Sequence, residues 1–94
     1  MDRVIKTINK PTGYKLVRLY TKINEQNLIH EINITGDFFC TPHDTIEKLQ
    51  INLKGTNITE LKTNIEKFTK QNNAQIIGWH IEHTLNEIKK HLKK

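Results

Sequence analysis

The residues best suited to chemistry sit in one late segment, "WHIEHTLNEIKKH". At 100° per residue, His80, His83, Glu87 and His91 fall within about 80° of one another on a helix. Two histidines and a carboxylate on one helix face can begin a zinc shell, but a second element must close it. The other histidines, His30 and His43, stand on different elements and in no paired motif. The stripe therefore reads as a polar helix flank, and no metal is expected. Cys40, the single cysteine, lies ahead of an expected helix start, where a helix dipole would activate a thiol. With no base assured beside it, it reads as a small, buried or semi-buried residue. Asp37 has no partner acid for acid–base work. The chain also contains no Walker loop, no GxGxxG, no GxSxG and no HExxH. No self-contained catalytic constellation is present.

The elements that must position these residues follow from periodicity. Arg3 to Asn9 reads as a short β-branched strand, and "KPTGY" breaks it with Pro11 and Gly13. Tyr14 to Asn24 alternates, with Lys15, Val17, Leu19, Thr21 and Ile23 on one face. Leu28 to Thr35 alternates again, which places Leu28, His30, Ile32 and Ile34 together. Three strands with short turns predict an antiparallel meander covered on one face. Three helical stripes come next. Thr41 as N-cap, Pro42 at the first position and Asp44 as the capping-box acid open the first stripe. Ile46, Leu49 and Leu53 carry it to Gly55. Asn57 and Glu60 open the second, built on Ile58, Leu61, Ile65 and Phe68, which ends at "QNNAQ". Ile81, Leu85, Ile88 and Leu92 make the third. The fold class expected is α+β: a three-stranded antiparallel meander followed by three helices packed on one face, as a single domain over residues 1–94.

Composition narrows the function. Hydrophobic residues are 35% of the chain and glycines number four, below the roughly 45–50% apolar share of ordinary domains. The core is thin, so part of the apolar surface is open to completion by a partner. Apolar runs are too short for a transmembrane span or a signal-peptide core, and no membrane role is expected. A lone cysteine and no visible targeting peptide give a cytoplasmic reading. The net charge of +5 is concentrated at the end, where "LNEIKKHLKK" holds Lys89, Lys90, Lys93 and Lys94 against Glu87. Lysines there complement a helix dipole. Nucleic-acid binders spread cations over a face with arginines and aromatics, so nucleic acid is not the expected partner.

One stretch remains, "ITGDFFCTPHD". Phe38 and Phe39 are two of only three phenylalanines, and adjacent residues in an extended exit point to opposite sides. Either both are buried above and below the turn, or one is an anchor for a partner; both readings stand. At these residues a resemblance appears. "LIHEINITGDFFCTPHDTIEKLQINLKG" resembles the accessory, C-terminal-type domain of lipoate–protein ligases, with its strand into Gly-Asp-Phe-Phe, its Pro-containing helix start and its Leu-x-Gly helix end. "NKPTGYKLVRLYTKI" is similar to that family's hairpin at Lys10, Pro11, Gly13 and Lys15, with Thr12 and Tyr14 in place of its commoner glycines. "IIGWHIEHTLNEIKKHL" resembles its closing segment.

The resemblance implies a non-catalytic small subunit of a two-chain, archaeal-type ligase, pairing as a heterodimer with a large catalytic subunit. It implies that the large subunit activates lipoate to lipoyl-adenylate with ATP and Mg, then passes the group to a lysine of a lipoyl-acceptor domain. This chain alone is expected to bind no cofactor and show no activity. The partner-binding residues implied are Gly36, Asp37, Phe38, Phe39, Lys10 and Lys15. Two rival readings are a small basic nucleic-acid-binding module, using the lysine-rich end with Arg18, Tyr14 and Tyr20, and a sulfur-transfer or iron–sulfur accessory protein using Cys40.

Overall fold

Alternation turns into a sheet at the start of the chain. In a computed structural model that describes residues 2–92, β1 (Arg3–Asn9), β2 (Val17–Ile23) and β3 (Ile29–Gly36) form an antiparallel sheet in the order β1-β2-β3. Ile5 and Thr7 of β1, Val17, Leu19, Thr21 and Ile23 of β2, and Ile32 and Ile34 of β3 all turn to the buried face. The register pairs Lys6 with Tyr20 and Tyr20 with Asn33 on the open face. Tyr14 to Leu16 lie in the hairpin rather than in β2. The reading of β3 needs one correction. Its register with β2 slips between Lys22 and Ile23, so Ile23 pairs with Ile29. A bulge leaves both His30 and Glu31 exposed and turns Ile29, not Leu28 and His30, into the core.

Helices α1 (Thr45–Leu53), α2 (Leu61–Gln71) and α3 (Ile81–Leu92) cover the buried face. Leu49, Leu53, Ile58, Leu61, Ile65, Phe68, Leu85 and Ile88 join the strand residues in one continuous core. A 3₁₀ turn at Ile58–Glu60 precedes α2, and Asn57 Oδ1 accepts a hydrogen bond from the Thr59 N–H. α1 also guards the sheet edge: the Ile34 N–H donates to Gln50 Oε1 at 2.7 Å. The Gly55 N–H donates to Ile29 O at 2.8 Å and the Ile29 N–H to Thr56 O at 2.8 Å, so this open edge is paired or covered along much of its length. At the opposite edge the Arg3 guanidinium donates to the His91 carbonyl of α3. Lys93 and Lys94, half of the expected lysine-rich end, lie outside the described residues.

Two further differences concern the middle of the chain. α1 starts at Thr45, not at Pro42. Thr41 ends a short strand, β4 (Phe39–Thr41), and the Thr41–Pro42 peptide is cis. The Thr45 N–H and hydroxyl both reach the Pro42 carbonyl, and the Asp44 side chain makes no cap bond. Instead of capping, the Asp44 carboxylate meets Lys48 Nζ at 3.2 Å, and the Lys48 hydrogen bond holds it below the usual aspartate range. β4 then pairs antiparallel with β5 (Gln75–Ile77), with Phe39 opposite Ile77 and Cys40 opposite Ile76. This ribbon is a second sheet inside what the sequence reads as a helical half.

Candidate partner-docking site

Three glycine-marked turns converge at one end of the molecule. Gly36 faces Val17 at the end of β3, at φ +154°, and a Cβ there would stand 2.2 Å from the Leu16 carbonyl oxygen. Only glycine permits that approach. The next residue ties the same strands, since the Asp37 N–H donates to Leu16 O at 2.9 Å. The β5–α3 turn closes from the other side. The Lys15 N–H donates to Gly78 O at 2.8 Å, and a Cβ on Gly78 (φ +98°) would lie 2.8 Å from Lys15 Cγ. Tyr14 and His80 add a ring contact at 4.5 Å between the same two turns.

Against this frame the two phenylalanines separate. Phe38 packs on the core, with its ring 5.8 Å from that of Trp79. Trp79 is buried, and its indole N–H donates to Thr84 Oγ1 at 2.9 Å. Phe39, one residue on, takes the other side and stays 66% exposed. Its cross-strand partner Ile77 is 56% exposed. Directly opposed residues of an antiparallel pair lie side by side on one face, so the two form a short apolar ridge. Behind the ridge, between α2, β5 and α3, lies a groove of about 370 Å³ floored by Ile65, Ile76 and Ile81. Asp37, Lys15 and Lys10 are exposed.

Of the six expected docking residues, five gather here: Lys15, Gly36, Asp37, Phe38 and Phe39. Lys10 stands at the opposite root of the hairpin. Sequence reasoning missed Ile77. Its signal was the β-branched pair Ile76-Ile77, too short to stand out as a strand, and its pairing to Phe39 is not local.

The alternative chemistries find less support in the geometry. The Cys40 thiol is half-buried in β4 and approaches His43 O at 3.7 Å. α1 begins five residues beyond it, so the thiol does not sit at a helix start. In the histidine stripe, His80 Nδ1 accepts the His83 N–H at 3.2 Å, which makes it a cap for α3. Among the described residues no three His, Cys, Asp or Glu side chains are placed to share a metal ion. No helix among them is long and apolar enough to cross a membrane.

No protein-family model matches the chain. A 45-residue segment is 40% identical to Lipoate-protein ligase A subunit 2 of Thermoplasma acidophilum. It covers 48% of this chain and 48% of that protein, so the chain spans about half the length of the curated relative it matches. Among solved structures, the fold matches a chain from the analysis of an archaeal lipoylation system, a bi-partite lipoate protein ligase and its E2 lipoyl domain, from the same organism. The TM-score is 0.75 at 28% identity, over 93% of this chain and 96% of that one. The chain is similar in sequence and in fold to the small subunit of a bipartite lipoate–protein ligase. The likeness spans nearly the whole fold, the meander, the helices and the end where the glycine turns meet, since it covers 93% of this chain and 96% of the other.

Proposed function

We propose that this chain is the non-catalytic small subunit of a cytoplasmic two-chain lipoate–protein ligase. It pairs as a heterodimer with a large catalytic subunit and is required for ATP-dependent activation of lipoate to lipoyl-adenylate. The large subunit then transfers the lipoyl group to a lysine of an acceptor lipoyl domain. The observation that carries the reading is the whole-chain likeness to a chain of a bi-partite ligase.

The chemistry sets what such a subunit must do. Adenylation needs the carboxylate of lipoate held against the α-phosphate with water kept out. A docked domain does both by covering a pocket, with no reacting group of its own. Lipoate, ATP and Mg then belong to the large subunit, in keeping with the absence of a nucleotide loop from this sequence. The Phe39–Ile77 ridge supplies the apolar contact, Lys15 and Asp37 the polar surroundings, and Phe38 and Gly36 hold the ridge in place.

The test is reconstitution. This chain alone should release no pyrophosphate from lipoate and ATP, and mixing with a separately made catalytic subunit should restore adenylation. Adenylation by the catalytic subunit at full rate without this chain would overturn the reading, as would activity of this chain alone.

A further inference from the structure

The open face of the main sheet is unclaimed by the ridge. Its outward residues form three rows across the strands: Val4, Lys22 and Glu31; Lys6, Tyr20 and Asn33; Ile8, Arg18 and Thr35. We propose that this face docks an acidic protein segment that presents a large apolar side chain between carboxylates. The proposal does not rest on the ligase reading.

Three observations carry it. The first is a concavity of about 220 Å³ walled by Lys6, Ile8, Arg18, Tyr20 and Asn33. Ile8 at its rim is 67% exposed, and Val4 on the same face 45%. β-branched residues left this open gain by burial against an apolar group. The second is charge. Lys22 faces Glu31 across the strands, but Lys6 and Arg18 face Tyr20, Asn33, Ile8 and Thr35, and neither pairs with a carboxylate among the described residues. The third is placement. The Lys6 ammonium stands 5.9 Å from the centre of the Tyr20 ring, at the margin of the concavity. A neutral apolar partner would desolvate both cations without compensation, and a basic one would be repelled. A second copy of this face brings the same cations and is disfavoured. Nucleic acid fits poorly, because phosphate tracking needs a run of cations and here exposed Val4 and Ile8 flank Lys6 on β1 while Lys22 faces Glu31.

The probe is a random copolymer of glutamate and tyrosine, titrated at low salt into isotopically labelled chain and followed by amide NMR shifts. Polyglutamate and a charge-matched oligothymidylate run in parallel. Shifts should be confined to the three rows. The copolymer should bind more tightly than either comparison polymer, and Lys6→Glu with Arg18→Glu should weaken it by about tenfold or more. Lys6→Gln with Arg18→Gln, a milder surface pair, should move binding in the same direction if the first pair disturbs folding. Lys89→Glu with Lys90→Glu, on α3, should leave binding unchanged. The proposal is overturned if the Lys89/Lys90 pair abolishes binding, if the Lys6/Arg18 pairs do not weaken it, or if the oligonucleotide or polyglutamate binds as tightly as the copolymer.

Discussion

Replacing Phe39 by alanine should separate docking from folding. The ring is 66% exposed in this chain. Fully burying such a side chain is worth about 1.5–3 kcal/mol. About two thirds of that is still to be gained against a partner, or about 1–2 kcal/mol. At about 1.4 kcal/mol per decade, Phe39→Ala should weaken pairing with the catalytic subunit by roughly five- to thirtyfold. The fold should scarcely notice, since exposed positions usually change stability by less than about 0.5 kcal/mol. Phe38→Ala gives the contrast. Its ring packs on Trp79 and the core, so its loss should cost about 2–3 kcal/mol of stability, below the roughly 3–5 kcal/mol of a fully buried ring. For a domain this size that is a fall in melting temperature of about 10 °C or more. The assay titrates wild-type and folded variant into the catalytic subunit and follows adenylate formation, with thermal melts alongside. Rescue by folded Phe39→Ala at the wild-type concentration would refute the ridge as the anchor. A melting loss equal to that of Phe38→Ala would refute the separation of the two rings.

Gly36→Val should destabilise far more than Cys40→Ser, because its first side-chain carbon meets the Leu16 carbonyl oxygen at 2.2 Å while the half-buried thiol has only a long contact to His43 O; paired thermal melts decide it. Thr84→Val should cost about 1–3 kcal/mol by leaving the buried Trp79 N–H without an acceptor, seen in denaturant midpoints and in a changed tryptophan emission. Asp44 should titrate below an ordinary aspartate by carboxyl NMR, and Lys48→Met should return it to the ordinary range. Because the folded value is the lower one, any stability from this pair is present above the unfolded-state aspartate pKa and is lost as pH falls through the lowered value.

Periodicity carried the parts of this fold whose pairing is local. β1 and β2 alternate without interruption, and the stripes of α1, α2 and α3 land on the core as their spacing implies. The bulge in β3 escaped because Leu28-Ile29-His30 offers two registers, and only the pairing of Ile29 with Ile23 selects one. The start of α1 was misplaced for a chemical reason. Threonine, proline and aspartate suit a capping box, but they also suit an extended strand end and a turn; Thr41 ends β4, and Pro42 and Asp44 fall in the turn before α1. β4 and β5 have three residues each and no period of their own. Their partner is the other end of a helical segment, which local pattern cannot reach. So Gly-Asp-Phe-Phe stood out as unusual, while which ring faced outward and what stood beside it depended on Ile77.

The ribbon that carries the ridge has a kinetic consequence. It joins Thr41 to Gln75 across a segment that holds both α1 and α2, so its pairing carries the loop-closure cost of that whole segment. With only three residue pairs and an outward face in water, it also has little of its own to hold it shut. Opening of this ribbon is therefore a local event, cheaper than unfolding the core. The amides of β4 and β5 should exchange with solvent sooner than those of β2, and a protein seated on Phe39 and Ile77 would slow them selectively. The surface proposed for docking would thus also gain rigidity from being covered.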